Sequence, residues 1–125
     1  MKIDKELQDN YLQWTESALA DMRTHHAKLC RDPKDTTIVS DIFSIAHNIK
    51  GMGASFGFPL MTETGVSFCR YIRSFDGQVI DPEVIDAHIR SLEVILSNRI
   101  QGDGGDIGRE LIDSLTTMVD RSLAA

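Results

Sequence analysis

His47 is followed three residues on by Lys50 and four residues on by Gly51. Residues three and four apart are neighbours on a helical surface, so this spacing sets a nucleophile, a cation and a gap side by side. A neutral imidazole is a nucleophile near physiological pH, its ordinary pKa being about 6.5. It can take a phosphoryl group on a ring nitrogen and give it away again. Phosphoryl transfer asks a protein mostly for positioning and charge neutralisation, and Lys50 supplies a mobile point charge for the phosphoryl oxygens. Glycine inside a helix costs about 1 kcal/mol relative to alanine, so something is expected to approach the backbone closely at Gly51. Gly51 and Ala54 leave room for a second protein to bring its own acidic site and metal to the histidine. Phe43, one turn earlier, is expected to be an exposed aromatic that contacts a partner, with Ser40 and Ser44 beside it.

These side chains need a helix under them, and residues 36–54 provide one. Ile38, Ile42, Ile45, Ile49, Met52 and Phe56 fall within about 40° of one direction on a wheel of about 100° per residue. On that wheel His47 lies about 180° from the stripe. Ser40, Phe43, Ser44, Lys50, Gly51 and Ala54 share its half, so the pattern predicts His47 on the solvent face, opposite the core. The isoleucines lower helix propensity slightly, but the spacing outweighs that. Gly51, Gly53 and Gly57 loosen the end of the helix and then stop it.

Four more segments carry helical spacing. Residues 4–31 place Leu7, Tyr11, Trp14, Ala18, Met22, His25 and Leu29 on one stripe, and Asp32-Pro33 ends the run. Pro59 fits the first turn of a helix over 59–74 that turns Leu60, Thr64, Phe68, Tyr71 and Phe75 inward. Asp76-Gly77 is a turn. Asp81-Pro82-Glu83 reads as cap, first-turn proline and dipole-matched carboxylate, opening a helix over 82–99 that buries Ile85, Ile89, Leu92 and Leu96. A glycine-rich joint over 101–106 leads, with Asp106 as cap, into a helix over 107–123 built on Leu111, Leu115, Met118 and Leu123. There is no internal repeat. Short connections favour antiparallel neighbours. The expected fold is all-α: an up-down-up-down antiparallel four-helix bundle over about 4–100 with an additional C-terminal helix, in one domain spanning 1–125.

The run His47-Asn48-Ile49-Lys50-Gly51-Met52-Gly53-Ala54-Ser55-Phe56-Gly57-Phe58 resembles the signature of histidine-containing phosphotransfer (HPt) domains: H-x-x-K-G, small residues, then a hydrophobic–glycine pair. That resemblance implies a four-helix bundle whose histidine shuttles phosphoryl groups between aspartates of response-regulator receiver domains. It implies His47 as phospho-acceptor, Lys50 as supporting cation, Gly51 as the small residue that permits docking, and Gly57 as the end of the active helix. It further implies receiver domains and an upstream hybrid histidine kinase as partners, magnesium on the receiver and no cofactor of the chain's own. Ser55-Phe56-Gly57-Phe58 is also similar to the N-terminal phosphotransfer domain of chemotaxis histidine kinases. Those domains hold the active imidazole with a histidine and a glutamate on the third helix, where this chain has Val66 and Cys69. Glu63 is the sole acid on that helix and lies a turn or more too early, so a stand-alone transfer module fits better.

Composition narrows the alternatives. The 125 residues carry 13 Lys+Arg against 19 Asp+Glu, a formal charge of −6, which argues against a nucleic-acid binder needing a basic stripe. The length is too short for a kinase with its own nucleotide-binding domain plus a substrate module. No run approaches the ~20 apolar residues of a membrane span, and Met1 to Glu6 shows no secretory signal. With Cys30 and Cys69 as two reduced thiols, the expectation is a cytoplasmic monomer. His25 is expected at the core edge and His88 as structural. His26 and Cys30 have i,i+4 metal spacing, but two ligands do not make a zinc site. Residues 102–105 lack the features of a phosphate loop or a calcium loop. The alternative function is a non-catalytic helical adaptor that binds a signalling partner through the same face. His47 beside Lys50 and Gly51 discriminates, because a pure adaptor needs no nucleophile there.

Overall fold

Three aspartates start three of the helices by accepting backbone N–H bonds that the first turn cannot satisfy internally. Asp4 accepts from Glu6 at 2.8 Å, Asp35 from Thr37 at 2.9 Å and Asp81 from Glu83 at 2.9 Å. Pro59 and Pro82 occupy first turns, where a missing N–H does no harm. The computed structural model describes residues 4–77 and 79–124. Its regular elements there are all helical: α1 (Lys5–Arg31), α2 (Thr36–Met52), one 3-10 turn (Ala54–Phe56), α3 (Pro59–Arg73), α4 (Pro82–Ser97) and α5 (Gly105–Ala124).

α1 packs against α2 and α4, and α3 packs against the same two, so the four helices close a ring around one core. Phe58, Phe68, Met22, Ile42, Ile89 and Leu92 are almost wholly removed from water in it, each burial stabilising by about 1.5–3 kcal/mol. α5 lies outside the ring against α3 and α4 and, among the described residues, does not touch α2. Arg23 on α1 ties α4 by ion pairs to Asp86 and, at 2.6 Å, to Glu93. His88 is fully buried, as expected of a structural histidine. Its Nδ1–H donates to the Val84 carbonyl at 2.8 Å, which leaves Nε2 to accept the Ser67 hydroxyl at 2.9 Å.

Several expectations need correction. Leu7 and Trp14 are 56% and 40% exposed rather than core, and Leu123 is 41% exposed. α1 contacts two helices at once, so its buried stripe turns toward Leu12, Thr15 and Leu19. Thr15 is tolerated there because its hydroxyl donates to the Tyr11 carbonyl at 2.7 Å. α2 ends at Met52, not 54, and its buried face is Val39, Ile42, Ala46 and Ile49. That face is turned about 60° from the isoleucine stripe, toward the His47 side, and Ile38, Ile45, Met52 and Phe56 are only half-buried. α3 and α4 stop at Arg73 and Ser97, and Phe75 and Leu96 are half-buried. α5 starts at Gly105, where Asp103 rather than Asp106 accepts the Gly105 N–H at 2.9 Å. Asp106 sits inside the first turn. Leu115 of α5 is buried, while Leu111 and Met118 are half-buried.

Candidate functional site

α2 carries His47 in mid-helix, exposed to solvent. Among the described residues neither of its ring nitrogens has a hydrogen-bond partner, so both are open to an incoming electrophile. Because the buried face is turned, His47 lies about 120° from its centre rather than opposite it. That is still outside the core, and the turn decides the fate of its neighbours. Ser40, Ser44, Gly51 and Ala54 are exposed as expected. Lys50 and Phe43, on the α3 side, are half-buried. Phe43 is therefore not the free surface aromatic of the sequence expectation. It packs on the core and lines a groove of about 520 Å³ with Val39, Ile72 and Phe75.

The Phe43 ring lies beside two groups of the site. Its centroid is 6.0 Å from that of the His47 imidazole, with the planes 21° apart. The Arg73 guanidinium carbon sits 5.6 Å over the same ring, within the range of a cation–π contact. Among the described residues no carboxylate pairs with Arg73 or Lys50. Beneath them Cys69 is buried. Burial pushes its thiol pKa up, opposed by the positive charges of Lys50 and Arg73. Cys69 is thus a neutral thiol, and an arriving anion meets two charges that pair with no carboxylate among the described residues.

Lys50 owes its position to α3. A Cβ on Gly65 would stand 2.8 Å from the Lys50 Cβ and 2.9 Å from its Cα, closer than side chains approach, so only glycine lets the two helices meet there. The Thr62 hydroxyl stands in the backbone ladder: it donates to the Lys50 carbonyl at 3.0 Å and accepts from the Ala54 N–H at 2.8 Å. That insertion accompanies the end of α2, two residues after Lys50. Gly57 then turns the chain with φ +90°, a left-handed conformation that favours glycine. Gly51, by contrast, would meet nothing within 4 Å if it carried a Cβ. Its lack of a side chain serves no contact among the described residues.

Thr62, Gly65, Cys69 and Arg73 form the site's second wall, and sequence reasoning missed all but Cys69. The available signal was their three- and four-residue spacing along α3, a stripe of small or polar residues beside the apolar one. Val66 is exposed and Cys69, about 60° away on the same helix, is buried. The other candidates lie elsewhere. His25 is half-buried with its Nδ1 4.0 Å from Asp41, and His26 faces the Pro82 carbonyl at 3.0 Å and Cys30 at 3.7 Å. Among the described residues no three metal-capable side chains come together. No helix among them is long and apolar enough to cross a membrane.

Residues 6–125 match the family described as Hpt domain. No curated protein and no solved structure matches the chain.

Proposed function

We propose a function from one premise: the chain belongs to the Hpt domain family. Hpt domains carry out histidine phosphotransfer in phosphorelays and interact with receiver domains and kinases. In this chain we read His47 as the phospho-acceptor and Lys50 as a charge that holds the phosphoryl oxygens. Ser40, Phe43, Ser44, Gly51 and Ala54 form the surface on which a receiver docks, and Gly57 closes the active helix. One observation carries the reading: an exposed imidazole with unengaged nitrogens stands beside cations that pair with no carboxylate among the described residues.

The step balances simply. A bare ring nitrogen of His47 attacks the phosphorus of an aspartyl phosphate, the acyl P–O bond breaks, and the aspartate leaves as carboxylate. The reverse step returns the group to a second receiver. The chain contributes orientation and positive charge, the main demands of this chemistry. The magnesium belongs to the receiver's acidic site. On this reading the four ring helices run up-down-up-down within a single domain. The protein acts as a cytoplasmic monomer downstream of a hybrid histidine kinase, apart from membrane and nucleic acid.

The test is incubation with a phosphorylated receiver domain. Wild type gains acid-labile, alkali-stable phosphate. His47→Gln gains none and keeps its helical circular dichroism, because the side chain lies outside the core. Tight receiver binding with no phosphate on the wild type would instead support the adaptor reading.

A further inference from the structure

The structure assigns a second phosphoryl-binding cation to α3: we infer that Arg73, held over the Phe43 ring while His47 is unmodified, leaves that ring to pair with the phosphoryl group once His47 carries it. The inference rests on the reading of His47 as acceptor and adds a residue and a movement to it.

Three observations converge. Arg73 is exposed and, among the described residues, makes no ion pair. Its helix neighbour Arg70, one turn back, pairs with Asp120 of α5 at 2.5 Å and is committed elsewhere. The guanidinium lies 5.6 Å from the Phe43 centroid and the imidazole 6.0 Å from it. The two distances cap the separation of guanidinium and imidazole at about 11.6 Å, a gap that a phosphoryl group on the ring and a swing of the long, flexible arginine side chain would close from both sides. An exposed cation–π contact is weak, about 0.5–1 kcal/mol, whereas a guanidinium matches phosphate oxygens with two parallel N–H donors. The phosphoryl group therefore outcompetes the ring for Arg73. With Lys50 read as the phosphoryl cation on α2, one turn from His47, the dianion would be gripped from two helices. Cys69 below them is neutral and offers no competing charge.

Phe43 is then a positioning residue. Its flat face holds the cation near the histidine without neutralising it, which a carboxylate at that place would do. The cation is stored within reach, and its release needs no carboxylate to be displaced.

The experiment uses the full chain and phosphoramidate, a small donor that bypasses receiver docking. A His47 nitrogen attacks phosphorus, the P–N bond of the donor breaks, and ammonia leaves, taking up the imidazole proton. At fixed donor the ratio of phosphorylated to free protein is read by ³¹P resonance. Arg73→Ala lowers that ratio about fivefold, the equivalent of ~1 kcal/mol of exposed charge pairing. Arg73→Lys keeps part of it, and both variants keep the wild-type helical signal. Phosphorylation of the wild type moves the Arg73 side-chain resonances out of the ring-current field of Phe43. In Phe43→Leu those resonances start unshifted and move less, while the rest of the spectrum stays folded. An unchanged ratio in Arg73→Ala, or Arg73 resonances that stay still on phosphorylation, would overturn the inference and leave His47 as acceptor intact. A wild type that takes no phosphoryl group at all would sink the reading of His47, and this inference with it.

Discussion

Two glycines on neighbouring helices should respond to alanine in opposite ways. A Cβ on Gly65 would stand 2.8 Å from the Lys50 Cβ, 2.9 Å from its Cα and 3.1 Å from its nitrogen. Ordinary contact begins at about 3.4 Å, so α2 and α3 must part by roughly 0.6 Å, and backbone atoms cannot swing aside as a side-chain tip can. Such overpacking costs about 1–3 kcal/mol, while replacing glycine in mid-helix returns about 0.5–1 kcal/mol. Gly65→Ala should therefore lose about 1 kcal/mol net. Gly51→Ala meets nothing within 4 Å and should gain about 0.5–1 kcal/mol. Urea unfolding followed by circular dichroism reads the gap of about 2 kcal/mol directly, as a shift in midpoint at constant slope. The reasoning is refuted if Gly65→Ala proves as stable as Gly51→Ala.

Further outcomes follow from the same geometry. Gly51→Leu should raise the melting temperature, since leucine is the better helix former, yet slow transfer from a phosphorylated receiver; an unchanged transfer rate would mean the receiver approaches from another side. Phe43→Ala should cost about 2 kcal/mol of stability, roughly half of what a fully buried phenylalanine costs, and weaken receiver binding on titration; a loss near 4 kcal/mol would mark the ring as core alone. Burial lowers the His88 pKa below its ordinary value, against the pull of its bond to the Val84 carbonyl. The unfolded chain therefore binds a proton that the folded chain refuses once pH falls below about 6.5, so stability is full above that pH and declines below it, by up to about 1.4 kcal/mol per pH unit. Melts of wild type and His88→Gln between pH 5 and pH 7 (roughly the window set by an ordinary imidazole) should show the slope flattened in the variant, and parallel curves would contradict this assignment.

Much of this arrangement was readable in the chain. Asp81 announces its helix because a cap is a local matter of one side chain and a neighbouring amide. The outward aspect of His47 followed from the 3.6-residue period alone. What periodicity does not fix is how many neighbours a helix has. α1 is flanked on two sides, and that shifts its buried stripe off Leu7 and Trp14. The same shift on α2 draws Phe43 and Lys50 half under α3. Near α5, several residues could satisfy the first amides, and Asp103 rather than Asp106 does so through the turn it makes with Gly104 and Gly105. Arg73, Gly65 and Thr62 were out of reach for another reason. Their meaning is a contact with α2, and nothing within α3 itself requires them.

The hydroxyl of Thr62 sets how long the nucleophile stays aimed. The last turn of a helix is ordinarily the first to fray, because its carbonyls are held by nothing beyond it. Here the Lys50 carbonyl and the Ala54 amide are both fastened to a side chain of α3. Opening the end of α2 therefore requires undocking α3 as well, and the turn that carries His47 and Lys50 is shielded from motions of the corner beyond it. A partner that tugs on residues 53–58 as it seats or departs does not thereby unwind that turn. Amide exchange at Ala54 would then run at the pace of the α2–α3 contact, not at that of a helix end.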